Sequence, residues 1–255
     1  MVAGRKLDAG AGLTIAESSL AELNQPGILV RAVTIAEGAL MSAWIDISIP
    51  LRTGIIHWPG DPEPILERLL DMDQGEEANV TFLKMTAHTG THVDAARHYL
   101  ADGATLDDYP LETGIGRARV VEVHAEALRI GPEHLSPHHI EPGDRLLLKT
   151  ANSSAAWYRQ EFSPNFASLS SAGAQYLVGL GIRMVGIDYL SIGAWESDGA
   201  ETHRILLRAG IWILEGLNLE NVPPAIYDLI CLPLRIAGAD GAPARAVIRP
   251  YLVPE

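Results

Sequence analysis

The chain has 255 residues, of which 47% are hydrophobic and 20% charged, and its formal net charge at pH 7 is −13. This length suits one domain with a full hydrophobic core, and the negative charge argues against nucleic acid or a membrane surface as a partner. Cys231 is the single cysteine, so an intrachain disulfide is excluded. With neither a secretory-type apolar segment near the start nor a run of about 18 apolar residues, we expect a cytoplasmic protein.

Residues 1–40 differ in composition from the rest, and we predict a leader that is disordered or loosely attached. A weak amphipathic helix is expected over residues 15–23, with a break at Gln25-Pro26-Gly27. Met41 is a candidate for an alternative start of the protein, and it opens a predicted strand in which Trp44, Asp46 and Ser48 alternate with isoleucines. The main domain is therefore predicted over residues 41–255.

Short extended runs dominate this main domain and are separated by turns rich in proline, glycine and aspartate. Helices are predicted between them over residues 170–180 and 199–209. This order of elements indicates a mixed α/β, strand-rich single domain.

The helix over residues 199–209 carries several local signals. Asp198 is the predicted N-cap, with Glu201 at the capping-box position, and Gly210 is placed to end the helix. His203 shares a helix face with two leucines, so we expect its side chain to point into the fold.

The string HTGTHVD, which begins at His88, is the most informative part of the sequence. Its glycine and β-branched residues disfavour a helix, and we predict an extended segment. In that conformation His88, Gly90, His92 and Asp94 share one face, and Gly90 leaves space between the other three. Two imidazoles and a carboxylate suit Zn²⁺ or Mn²⁺, although the histidines of a polar strand edge can also simply form hydrogen bonds.

Two further polar residues are candidates on weaker grounds. His98 lies four residues beyond Asp94, where it can act as a general acid or base, serve as another ligand, or lie on the surface. Glu215 ends the apolar run IWIL, where an ordinary strand-end charge is the simpler interpretation.

The string HTGTHVD followed by His98 resembles the HxGTHxDxPxxH signature of the cyclase family, which includes bacterial kynurenine formamidase and isatin hydrolase. The resemblance covers residue 41 to the C-terminus, and Ala96 replaces the usual proline. Other stretches on both sides of this string resemble further landmarks of the family and occur in the family's order along the chain. They are Trp58-Pro-Gly-Asp61, Leu147–Thr150, Val185–Asp188, His203 with Glu215, Leu232-Pro-Leu234 and Gly241–Val247.

The resemblance implies a swivelling β/β/α fold and a metal centre, with two Zn²⁺ ions per subunit or Mn²⁺ instead. It assigns His88, His92 and Asp94 to one ion and His203 to a second, with Asp94 and Glu215 reaching both. His98 matches the catalytic proton carrier.

The resemblance also implies an amidohydrolase, and we predict an arylformamidase that converts N-formylkynurenine to kynurenine and formate, a step of tryptophan catabolism. The alternatives are isatin-type lactam hydrolysis and a metal-binding protein without hydrolase activity. A homodimer or higher homo-oligomer acting on a small aryl amide is expected. Trp58, Tyr99 and Trp157 are candidate aromatic walls for that substrate, although each can equally be a packing residue.

Overall fold

The computed structural model describes residues 43–123 and 126–251; the predicted leader, its helix and Met41 lie outside these ranges. The strands are β1 Ile45–Asp46, β2 Ile65–Leu70, β3 Val80–Lys84, β4 His92–Asp94, β5 Ile115–Glu122, β6 Arg129–Ile130, β7 Arg145–Lys149, β8 Ser168–Leu169, β9 Met184–Ile187, β10 Trp212–Glu215, β11 Ile226–Pro233 and β12 Gly241–Pro250. The α-helices are α1 Leu111–Gly114, α2 Pro132–Leu135, α3 Ser171–Leu180 and α4 Gly199–Arg208.

A single curved sheet organises the described residues. Its eight strands have the order β1-β12-β11-β5-β7-β9-β10-β4, and an additional pairing between β12 and β4 closes the sheet into a barrel-like ring. Strands β5, β7, β9 and β10 are parallel to their neighbours in that run, and the remaining pairings are antiparallel. The prediction of a strand-rich, mixed α/β domain is confirmed.

Strand β7 shows why the sheet is buried on both faces. Its sequence RLLLK has no polar alternation, because Leu147 points into the barrel interior whereas Leu146 and Leu148 point to the opposite face. Helices α3 and α4 contribute buried side chains to the cluster on that outer face. Two hydrophobic cores therefore share the strands that carry the candidate site.

The two predicted long helices are present, but one of their predicted caps is not. Ser170 caps α3, with its hydroxyl accepting a hydrogen bond from the backbone N–H of Gly173 at 3.0 Å. The prediction that Asp198 caps α4 through its side chain is wrong, because that carboxylate instead accepts from the N–H of Ser171 at 2.8 Å. Gly210 has a φ of +73° just after α4, as predicted.

Strands β2 and β3 form a separate two-stranded hairpin with many exposed side chains. Its exposed apolar residues include Leu69, Phe82 and Leu83. A two-stranded sheet is only marginally stable without a packing partner. Among the described residues, none of the helices combines the length and the apolar character needed to cross a membrane.

Candidate metal centre

Strands β4 and β10 place three of the predicted ligands side by side. Glu215 of β10 lies directly opposite His92 of β4 in an antiparallel pairing. His92 and Asp94 are two positions apart, so both leave the sheet on one face, whereas Val93 between them packs in the barrel interior. All three polar side chains are buried, and α4 packs against β10.

Helix α4 adds His203 to this group. Its Nε2 atom lies 3.1 Å from Oε1 of Glu215 and 3.7 Å from Oδ2 of Asp94. The Nε2 atom of His92 lies 3.2 Å from Oε2 of Glu215 and 3.4 Å from Oδ1 of Asp94. The two buried carboxylates are therefore shared between two imidazoles that come from distant parts of the chain.

His88 completes the group from a turn that precedes β4. Its Nδ1 atom lies 2.9 Å from Oδ1 of Asp94. Potential ligand atoms lie within 4.8 Å of one another in three sets: His88, His92 and Asp94; Asp94, His203 and Glu215; and His88, His98 and Asp240. The first two sets share Asp94 and are the more deeply buried. All five residues predicted from the sequence as ligands are thus brought together.

The local conformation at His88 differs from the predicted extended segment. The N–H of Thr89 donates to the carbonyl of Thr86 at 3.3 Å, and Gly90 has a φ of +74°, so this part is a turn. A Cβ at Gly90 would lie 2.5 Å from Cδ2 of Leu51. Glycine is therefore required by the left-handed backbone and by close packing on Leu51, and the prediction that it clears space between ligands is wrong.

Each imidazole of the group has one ring nitrogen that faces the buried carboxylates of Asp94 or Glu215 and one that points away from this buried pair. The outward acceptors are the carbonyl of Gly90 for His92 Nδ1 at 2.9 Å, the carbonyl of Gly199 for His203 Nδ1 at 2.7 Å, and the carboxylate of Asp240 for His88 Nε2 at 3.0 Å. An outward N–H donor leaves the lone pair of the neutral ring pointing inward. Metal-binding histidines typically have this arrangement.

The electrostatics of the group favour a bound cation. Burial would raise the pKa of Asp94, but the neighbouring histidines hold it well below its usual range. Burial lowers the pKa of His92, yet the nearby carboxylates of Asp94 and Glu215 outweigh that effect and raise the pKa to about 10. Two ionised carboxylates in a buried site require compensating positive charge, which either protons on the imidazoles or a metal ion can supply.

Two buried atoms of the group also lack a well-oriented hydrogen bond within the described residues, namely Nε2 of His92 and Oδ2 of Asp94. Buried polar atoms of this kind are rare and call for an unseen partner. Three imidazole nitrogens and two carboxylates are donors that suit Zn²⁺ and related divalent ions. The residues therefore fit a divalent metal centre.

His98 lies beside this group at the wall of a cavity. It ends a short 3₁₀ turn, Ala96–His98, and its ring stacks on His88 with centroids 3.9 Å apart. The cavity has a volume of about 410 Å³ and is also lined by His203 and Glu215. The pKa of His98 is lowered, first by burial and then by neighbouring histidines, although nearby carboxylates oppose the shift. A neutral imidazole at this wall can accept a proton.

The three candidate aromatic walls have different positions. Trp58 and Tyr99 line the cavity, and Trp58 makes an edge contact with Trp195 at a centroid distance of 5.0 Å. Trp157 does not line it, because this ring is buried and its Nε1 donates to the carbonyl of Leu217 at 3.1 Å. Trp157 is therefore a packing residue, and only Trp58 and Tyr99 remain as candidates for an aromatic wall.

Asp240 also lines the cavity, although the sequence indicated only a turn at Asp240-Gly241. Its carboxylate contacts His88 and lies 3.5 Å from Nδ1 of His98. The sequence signal that marks this aspartate is weak, since it consists of the glycine that follows. Gly241 pairs with Asp94 across β12 and β4, and this long-range contact delivers Asp240 to the site.

Comparisons with known proteins identify the family. The cyclase family matches residues 45–194. A kynurenine formamidase from Bacillus cereus is 38% identical over 209 residues, which make up 82% of this chain and 98% of that protein. The chain belongs to the cyclase family. The resemblance to the cyclase family that the sequence indicated is confirmed, and so is the predicted class of enzyme, an amidohydrolase.

Solved structures agree with this family. A protein described as a potential metal-dependent hydrolase with cyclase activity superposes with a TM-score of 0.73 at 30% identity, covering 83% of this chain and 99% of that one. Isatin hydrolase A from Labrenzia aggregata gives a TM-score of 0.71 at 22% identity, covering 87% and 98% respectively. At that lower identity the second comparison supports the fold alone.

A close contact at Gly241 yields a test of the geometry around His88. A Cβ at this position would lie 2.5 Å from Cε1 of His88, so Gly241→Ala should displace that ring. We expect metal affinity to fall by about 10–100-fold, as when the support of a ligand is disturbed. The measurement is metal titration in competition with a chromophoric chelator, with circular dichroism to establish that the variant is folded.

The matched control is Gly179→Ala in α3, where an added Cβ meets no atom within 4 Å apart from the backbone of its own helix. This variant should retain the metal affinity of the unmodified protein. Equal affinities for Gly241→Ala and Gly179→Ala would show that the position of the His88 ring is not needed for binding.

Proposed function

We propose that His88, His92, Asp94, His203 and Glu215 bind two divalent metal ions, with Asp94 and Glu215 shared between them. The observation that carries this proposal is the pair of ligand sets that have Asp94 in common. The orphaned atoms of His92 and Asp94 support it further. Zn²⁺ or Mn²⁺ is the expected ion, because both accept imidazole and carboxylate donors.

The reaction that this centre supports best is hydrolysis of an aryl formamide, giving kynurenine and formate from N-formylkynurenine. This proposal is supported by 38% identity to kynurenine formamidase over most of the chain. It is also supported by a cavity of about 410 Å³ that has an aromatic wall at Trp58 beside the metal-binding group. Conversion of N-formylkynurenine would place the chain in tryptophan catabolism.

The chain's own residues account for substrate placement and proton movement. A bound divalent ion would lower the pKa of a coordinated water toward ~7 and would polarise the carbonyl group of the substrate. Water adds to the formyl carbon, and the C–N bond to the aniline nitrogen breaks. His98 accepts the proton of the water and delivers it to the departing nitrogen, which leaves as the free amine while the formyl group leaves as formate.

An aromatic wall at Trp58 should be visible in the kinetics. Its ring is held edge-on by Trp195 and Phe162, at centroid distances of 5.0 and 5.7 Å, so it is positioned before substrate arrives. We expect Trp58→Ala to raise KM by about 3–10-fold, the equivalent of one aromatic contact, with a smaller change in kcat. Steady-state kinetics with N-formylkynurenine measure this, and an unchanged KM would contradict the assignment.

The deciding experiment is an assay of metal-reconstituted enzyme against N-formylkynurenine and isatin in parallel. Hydrolysis of N-formylkynurenine with the higher kcat/KM supports the proposal. A higher kcat/KM for isatin would favour lactam opening, the alternative suggested by the isatin hydrolase fold. Bound metal without hydrolysis of either substrate would favour a metal-binding protein instead.

We propose that the protein acts in the cytoplasm on a small aryl amide and has no nucleic acid or membrane partner. We also propose that it assembles as a homodimer or higher homo-oligomer. Support comes from the β2–β3 hairpin, whose Leu69 and Leu83 side chains are 66% and 53% exposed. Exposed apolar groups on a two-stranded hairpin favour burial against another chain. Light scattering tests the assembly, and a monomer mass at micromolar concentration would contradict it.

A further inference from the structure

Asp240 contacts the candidate metal centre from outside the five proposed ligands. Its Oδ2 atom lies 3.0 Å from Nε2 of His88 and 3.5 Å from Nδ1 of His98. The two imidazole rings are stacked, with an interplanar angle of 26°. One carboxylate oxygen therefore faces both a proposed metal ligand and the proposed proton carrier.

The backbone around Asp240 is fixed relative to the ligands. Its carbonyl accepts a hydrogen bond from the N–H of Ala95 at 2.9 Å, and Gly241 pairs with Asp94 across the closing strands. Ala95 directly follows Asp94 in sequence. The Asp240 backbone is therefore tied to the same segment that carries the ligand shared by both proposed ions.

His88 differs from the other two proposed histidine ligands in its outward partner. His92 and His203 donate to backbone carbonyls, which no substitution can remove. His88 donates to a side-chain carboxylate, and a charged acceptor makes a stronger hydrogen bond than a carbonyl. The orientation of the His88 ring therefore depends on a side chain that mutation can delete.

We propose that Asp240 is a positioning residue that fixes the ring orientations of His88 and His98 together. On the His88 side it holds the outward N–H, so that Nδ1 faces Asp94. On the His98 side it fixes the ring plane beside the cavity. The His98 half of this inference rests on the proposed function, whereas the His88 half depends only on metal binding.

The test compares Asp240→Ala with Asp240→Asn, which keeps an acceptor oxygen. For Asp240→Ala we expect zinc affinity to fall by about 10–100-fold, as is usual when the partner of a ligand histidine is removed. We also expect kcat to fall with little change in KM, and Asp240→Asn to restore most of both quantities. Zinc affinity is measured without substrate, by competition with a chromophoric chelator.

Two further variants sharpen the result. Asp228→Ala also removes one negative charge, but from a carboxylate on β11 that pairs with Arg249 on β12. This control variant should leave zinc affinity and kcat unchanged. In a His98→Ala background, Asp240→Ala should lower zinc affinity as before but should cause no further loss of kcat. That pattern would show that the kinetic effect of Asp240 passes through His98.

Three outcomes would overturn the proposal. Unchanged zinc affinity and kcat in Asp240→Ala would show that the carboxylate positions neither ring, and complete loss of bound zinc would make Asp240 itself a ligand. Equal losses in Asp240→Ala and Asp240→Asn would show that charge, not ring orientation, is what matters. If the unmodified enzyme hydrolyses no formamide, the proposed function fails, but the zinc measurement still tests the positioning of His88.

Discussion

Replacing His98 by alanine is expected to lower kcat by about 10²–10⁴-fold, the usual contribution of a positioned general acid or base. The ring lies at the cavity wall and stacks on His88 with centroids 3.9 Å apart. His98 is not one of the five proposed ligands, and it belongs only to the third potential set, with His88 and Asp240. Removing it should therefore leave the metal-binding group intact. Metal content and turnover of N-formylkynurenine are measured on the same preparation, so that the two effects are separated.

The control for this variant is His139→Ala, because His139 is an exposed histidine outside the cavity. It should retain both metal and turnover. Turnover by His98→Ala within about tenfold of the unmodified enzyme would contradict the proton-carrier role. Loss of metal from His98→Ala would instead indicate that His98 is a ligand, one of the alternatives that the sequence left open.

The sequence predicted which side chains come together more successfully than the local conformation that presents them. His92 and Asp94 do lie in a strand, and their period of two is what brings both to one face. His88 reaches the same group through a turn, because Gly90 adopts a left-handed conformation beside Leu51. A pattern of residue types cannot distinguish these routes, since the packing of Leu51 is a long-range contact.

Long-range contacts also explain what the sequence did not predict. Asp240 reaches the site because β12 pairs with β4 and closes the barrel, a pairing between segments that are far apart in the chain. Trp157 was a reasonable candidate for an aromatic wall, yet its indole N–H is directed to the carbonyl of Leu217 and the ring is buried. Asp198 occupies a capping position but has a better-placed donor in Ser171 of α3. In each case the tertiary partner decided the outcome.

Removal of metal by a chelator is expected to lower the melting temperature while leaving the protein folded. An ion that binds only the folded state stabilises it by about 2.7 kcal/mol at a concentration of 100 Kd. For a domain of this size, about 1 kcal/mol corresponds to roughly 2–4 °C, so the expected decrease is about 5–10 °C. Thermal melts before chelation, after chelation and after re-addition of Zn²⁺ or Mn²⁺ measure the effect.

The fold should survive without metal because the buried charges can be balanced by protons. His92, whose pKa is raised to about 10 by the two carboxylates, carries a proton at neutral pH in the metal-free protein and so offsets part of the negative charge. A chelated sample should therefore show a cooperative melt at lower temperature. A non-cooperative melt with exposed hydrophobic surface would show that metal is required for folding itself.

Glu215→Gln tests whether this stabilisation passes through the proposed centre. The substitution preserves volume, and the new amide oxygen can still accept from the N–H of Ile192, which lies 2.6 Å from Oε1 of Glu215. It removes the charge that two histidines face, so metal affinity and turnover should both be lost. Because Glu215→Gln then has little metal to lose, chelation should hardly change its melting temperature, whereas the exposed control Glu220→Gln should show the full decrease. An equal decrease in both variants would mean that the stabilising ion binds elsewhere and that Glu215 does not hold it.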